Sequence, residues 1–82
     1  MRYQLDLVLK PIDGALLRAI GMAERRGFAP ISISGAPVAE DAGRWHLQLV
    51  VDGNRPGETL RLQMEKVYDC ESVRVTALDG VV

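Results

Sequence analysis

Polar and apolar residues alternate in four short stretches of this chain and form a helical stripe in two longer ones. Residues 2–10 (RYQLDLVLK) put Tyr3, Leu5, Leu7 and Leu9 on one side and Arg2, Gln4, Asp6 and Val8 on the other. That period of two is the pattern of a half-buried strand. After the turn "PID", a helix is expected with Asp13 as its N-cap. Its stripe is Leu16, Ile20 and Ala23 at i, i+4 and i+7, widened by Ala19 and Leu17. Arg25 and Arg26 suit the negative end of the helix dipole, and Gly27 suits the left-handed residue that closes a helix. Residues 31–38 (ISISGAPV) alternate again, Ile31 and Ile33 against Ser32 and Ser34, while Gly35 and Pro37 mark an edge or bulged strand. Residues 39–43 read as a polar turn. Residues 44–52 predict a third strand with Trp45, Leu47, Leu49 and Val51 on one face. A second helix over 58–69 carries Leu60, Met64 and Val67, and residues 72–78 predict a fourth strand with Val73 and Val75 inward.

The resulting order, βαββαβ, is the ferredoxin-like plan of the α+β class. It implies a four-stranded antiparallel sheet with both helices on one face, since each helix has a single apolar stripe. At 82 residues the chain is expected to form one domain over 1–82. Ten Lys and Arg against eleven Asp and Glu leave a net charge of −1. That balance lacks the basic excess of a nucleic-acid or anionic-membrane binder. A single cysteine, Cys70, excludes an intrachain disulfide and a thiolate metal cluster. No apolar run approaches the ~20 residues of a membrane span. A soluble, cytoplasmic domain is expected, and a core this small favours oligomerisation or a partner.

The face of the sheet left open by the helices reads Gln4, Asp6, Val8, Ser32, Ser34, His46, Gln48, Val50, Arg74 and Thr76. It carries no aromatic residue on which a base could stack, which excludes the common RNA-binding mode of this plan. Tyr3 and Trp45 fall on the helix-covered face. His46 is the only histidine, and Asp6 and Arg74 are placed to form a surface pair. Cys70 reads as a small hydrophobe at a helix end. No acid–base pair, nucleophile or metal-ligand set emerges, so neither a catalytic nor a metal site is expected. The first turn, "KPIDGAL", is the most informative segment. A helix start offers free N–H groups and a partial positive charge, suited to a carboxylate such as that of a free amino acid. Gly14 either lets another group approach that backbone or merely permits a tight turn or close packing.

The run "GALLRAIGMAERRGF", followed by "ISISGAPV" and "LQMEKVYDCESVRV", resembles an ACT domain. It is similar more closely to the regulatory (small) subunits of acetolactate synthase, also called acetohydroxyacid synthase. Gly14, Ala15 and Leu16, then Ile20 and Gly21, then Arg26, Gly27 and Phe28 stand where that family has Gly-Ala-Leu, Ile-Gly and Arg-Gly-aromatic. The resemblance implies a non-catalytic chain that activates a large catalytic subunit in branched-chain amino acid biosynthesis. Thiamine diphosphate, FAD and magnesium belong to that large subunit, which joins two 2-ketoacids with loss of carbon dioxide; none is expected in this chain. It also implies a homodimer paired through edge strands, with a small amino-acid effector between one protomer's first turn and its neighbour's second strand. Carried onto this sequence, the effector positions are Pro11, Ile12, Asp13, Gly14, Ala15, Leu16, Ala29 and Pro30. Arg18, Arg25 and Arg26 are candidates for contact with the large subunit, as is the open sheet face. Valine-responsive relatives have asparagines where this chain has Pro11 and Ala29, and the loss of each bond to a ligand's charged end costs ~1.5–3 kcal/mol. With its single domain the chain resembles most the small chain of the valine-insensitive isozyme II. A second expectation is a stand-alone ACT-type sensor that reads another ligand for a different partner.

Overall fold

The sheet is built around its first strand. The computed structural model describes residues 1–38, 43–67 and 69–78. Along it run β1 (Arg2–Leu9), α1 (Ala15–Arg25), β2 (Ala29–Pro37), β3 (Trp45–Asp52), α2 (Gly57–Glu65) and β4 (Cys70–Ala77). The strands lie in the order β2-β3-β1-β4, and every pairing is antiparallel. Strand β1 is central because its whole odd face is apolar: Leu5 sits opposite Leu49 and Val75, and Leu7 opposite Leu47 and Val73. Such aligned apolar pairs fix the register, since a slip of one residue would turn every side chain to the other face.

Both helices cover that odd face. The core they close contains Tyr3, Leu5, Leu7, Leu9, Leu47, Leu49 and Val51 from the sheet, with Phe28, Leu60 and Met64 above it. Tyr3 and Phe28 meet edge to face at 6.1 Å between ring centroids, a favoured aromatic geometry. Two glycines make room for them. A Cβ on Gly53 would lie 2.6 Å from the Phe28 ring, and one on Gly57 2.7 Å from the Tyr3 ring.

Helix α1 is rotated relative to the expected stripe. Ala15, Ala19 and Ala23 are buried, whereas Leu16 is partly exposed and Leu17 is 74% exposed. The leucines of β1 and β3 already fill the space under the helix, so small side chains face the sheet and let the helix settle close to it. Leu16 and Ile20 are left beside this stripe, less deeply buried than the alanines. The end of α1 is as expected: Gly27 has φ +89°, its N–H reaches the Glu24 carbonyl and that of Phe28 reaches Ala23. These two bonds form a Schellman closure, with Phe28 as its apolar clamp.

Strand β2 is an edge strand, as Gly35 and Pro37 indicated, and a register shift between Pro30 and Ser32 marks a bulge at Ile31. Helix α2 is shorter than expected and ends at Glu65, so Val67 packs against the core from the following turn. Cys70 is not at a helix end but opens β4 opposite Leu9. The polar turn expected over 39–43 lies outside the described residues except for Gly43, as does Tyr68 of the expected second helix.

Candidate functional site

The turn between β1 and α1 is held by backbone bonds. Lys10 N–H reaches the Asp69 carbonyl at 2.8 Å, Ile12 N–H the Lys10 carbonyl at 2.7 Å, and Ala15 N–H the Ile12 carbonyl at 3.0 Å. Asp13 does not cap the helix. The N-cap is Gly14, left-handed at φ +81° and without a side-chain cap bond. The first intrahelical bond runs from Arg18 N–H to the Gly14 carbonyl. Between these bonds, the N–H groups of Leu16 and Leu17 have no acceptor among the described residues. A helix start of this kind is locally electropositive, and no acidic residue lies in the first turn of α1.

The structure also shows what approaches Gly14. A Cβ there would lie 2.7 Å from Arg18 Nη1. The Arg18 guanidinium crosses over the glycine, donates from Nη2 to the Asp13 carbonyl at 2.6 Å, and pairs through Nε with the Asp69 carboxylate. The group accommodated by the missing side chain is therefore the chain's own arginine.

The turn also lines a cavity of about 510 Å³, within the size range of small-molecule sites. Pro11, Ile12, Asp13, Gly14, Ala15 and Leu16 all line it, together with Lys10 and Leu17. Leu9, Gly43 and Trp45 complete the lining. Trp45 was expected under the helices, but it is 41% exposed at the cavity mouth. It opens β3 and shares the cavity with the start of α1, and its ring lies against Gly35: a Cβ there would be 2.9 Å away. Gly43, at φ +83°, packs on Pro11 in the same manner. The alternation of β3 gave Trp45 its face but carried no signal that the helix cover stops short of it.

Ala29 and Pro30 are not brought to this cavity. They open β2 opposite Asp52 and Val51, beyond the C-terminal end of α1, about 16 Å along the helix from the turn. Of the three arginines, Arg18 is engaged by Asp69, whereas Arg25 and Arg26 are exposed at the end of α1.

The expected Asp6–Arg74 pair does not form, although the two residues are in register. Gln4 donates to one oxygen of Asp6 at 3.3 Å and His46 Nε2 stands 3.5 Å from the other, so both oxygens already have neighbours. On α2, Arg61 bridges Glu58 and Glu65 along the exposed face; its hydrogen bond to Glu58 lowers that carboxyl's pKa. Burial pushes the Cys70 thiol up, which disfavours the nucleophilic thiolate. Among the described residues no group of three or more His, Cys, Asp or Glu could hold a metal ion. No helix among them is long and apolar enough to cross a membrane.

Sheet order and helix placement define a ferredoxin-like α+β domain with a pocket at its first turn. The sequence signature of the ACT domain matches residues 11–73, and the chain belongs to the ACT domain family. Among solved structures, it is similar to the small subunit of acetolactate synthase from Thermotoga maritima. The two share 20% identity over 98% of this chain and 50% of that one, at a TM-score of 0.79. A formyltetrahydrofolate deformylase from Burkholderia mallei shares 13% identity over 94% of this chain and 28% of that one, at a TM-score of 0.75. The C-terminal domain of MgtC from Mycobacterium tuberculosis shares 17% over 93% and 85%, at 0.67. At such identities these likenesses speak for the fold. The chain spans about half the length of the acetolactate synthase subunit and less of the deformylase. A search of proteins of curated function returns no match.

Proposed function

We propose that the chain is a non-catalytic regulatory subunit that activates the large subunit of an acetolactate synthase and responds weakly or not at all to valine. The observation that carries this reading is the pocket itself. It lies at the turn where the motif resemblance puts the effector, and Pro11 stands in its wall where valine-responsive relatives have an amide. A proline offers neither a side-chain donor nor an N–H. The fold-level likeness to a small subunit of that enzyme supports the same assignment. Thiamine diphosphate, FAD and magnesium would reside in the large chain. The particular likeness to isozyme II rests on Pro11 and Ala29 alone.

Pairing of two copies through β2 accounts for an otherwise unexplained apolar edge. Ile31, Ile33, Trp45 and Leu16 are all more than a third exposed. Ile33, Trp45 and α1 share the helix side of the sheet, and Leu16 and Trp45 line the same pocket. A second copy at that edge would cover them and would carry its own Ala29 and Pro30 toward the first copy's turn. As a regulator, the chain would act only through contacts that favour the large subunit's active conformation.

The decisive experiment measures acetolactate formation by a purified candidate large subunit, with and without this chain and with and without valine. Stimulation that valine leaves intact supports the proposal. Stimulation reversed by valine keeps the subunit role and overturns the reading of Pro11. Without stimulation of a competent large subunit, the second reading takes over: an ACT-type sensor with another partner. The persistence of a mostly apolar cavity of small-molecule size favours that alternative.

A further inference from the structure

Asp69 lies in the connection between α2 and β4, does not itself line the pocket, and is the buried charged residue among those described, at 5% exposure. It holds both ends of the pocket-forming turn. Its backbone carbonyl accepts the Lys10 N–H, where the turn begins. Its carboxylate engages Arg18, which reaches on to the Asp13 carbonyl, where the turn ends. Within the turn itself only the Ile12-to-Lys10 and Ala15-to-Ile12 backbone bonds add to this, and its N-cap makes no side-chain bond. Charge-assisted hydrogen bonds are stronger than neutral ones, and a planar guanidinium can serve two acceptors on different sides at once, which a single ammonium serves poorly.

We infer that Asp69 is a positioning residue of the pocket, acting through Arg18. The pocket lining contributed by the turn is set by a charge pair 51 residues apart in sequence. A shift of the turn is therefore felt at the start of β4, and by thermodynamic reciprocity a shift at β4 is felt in the pocket. The inference rests on the pocket of the proposed function but needs no particular effector.

Trp45 is the chain's only tryptophan and lines this pocket, so it reports on the pocket without a label. The test compares Asp69→Asn and Arg18→Lys with Leu60→Ala, a core truncation beneath α2 that lowers stability without touching the turn. Well below each variant's melting temperature, Asp69→Asn and Arg18→Lys are expected to raise acrylamide quenching of Trp45. They are also expected to speed hydrogen exchange at the Ile12 and Ala15 amides about tenfold or more. Leu60→Ala is expected to leave both at the wild-type level. Variants of Asp69 and Arg18 that melt earlier but match Leu60→Ala in quenching and exchange would overturn the inference. Should Asp69→Asn not fold, Arg18→Lys keeps the charge beside Asp69 and decides alone. None of these readouts involves the large subunit, so failure here and failure of the acetolactate assay are separate results.

Discussion

Replacing Gly14 with alanine combines two costs that the structure allows to be separated. The first is conformational: at φ +81° a Cβ costs about 1–2 kcal/mol. The second is displacement, because that Cβ would lie 2.7 Å from an Arg18 nitrogen which is itself tied to Asp69. Moving the guanidinium away sacrifices a hydrogen bond between charged groups, about 1.5–3 kcal/mol. Gly27 supplies the control within the molecule. It has nearly the same φ, +89°, but nothing lies within 4 Å of its would-be Cβ. The gain from a less flexible unfolded chain is common to both alanines and cancels. Urea unfolding at fixed protein concentration should therefore show Gly14→Ala weaker than Gly27→Ala by about 1.5–3 kcal/mol. In a domain of this size each kcal/mol also shifts Tm by about 4–8 °C. In an Arg18→Met background the gap should close, because no guanidinium remains to be displaced. A wild-type gap below about 0.5 kcal/mol, within ordinary additivity error, or a gap that survives Arg18→Met, would refute the reasoning.

Gly53→Ala should cost about 1–3 kcal/mol by overpacking, since its Cβ would meet both the Phe28 ring and the Gly27 carbonyl; thermal melts followed by circular dichroism would show it. Under the proposed pairing through β2, Ile33→Lys should shift sedimentation toward monomer while leaving the fold intact, because Ile33 is half exposed on the β2 edge and in no core contact that a lysine would empty. Cys70 should react slowly with a disulfide reagent at neutral pH and faster as pH rises, since burial raises its pKa. The raised thiol pKa also sets a sign for stability. The unfolded chain loses this proton first, so the contribution is complete below the ordinary thiol pKa and is lost as pH climbs through the folded value.

The strands β1 and β3 could be read because their signal is local: Tyr3, Leu5, Leu7 and Leu9 alternate whatever lies elsewhere in the chain. The closure of α1 was local too, with Arg26, Gly27 and Phe28 adjacent. The rotation of α1 was not. Ranking by hydrophobicity puts Leu16 and Leu17 inward, but the decision belongs to the space above Leu5, Leu7, Leu47 and Leu49, where alanines fit and leucines do not. At the candidate site, the lining from Pro11 to Leu16 was legible from the turn and the motif. The contribution of Trp45 depended on how far a helix reaches over a sheet. The group that fills the notch at Gly14 depended on Asp69, 51 residues beyond Arg18, and no local pattern announces such a pair.

The position of β1 in the sheet also shapes how the chain comes to be folded. Arg2 pairs with Asp52 and Tyr3 with Ala77, so this inner strand precedes both of its neighbours in order of synthesis. At about 5–20 residues per second, its leucine face waits for several seconds before the second neighbour exists. Helix α1 can close on itself early, with its own Schellman bonds, but it has no finished floor to rest on. The strand made first is the last to be enclosed, and until then it is the segment most in need of a chaperone's shelter.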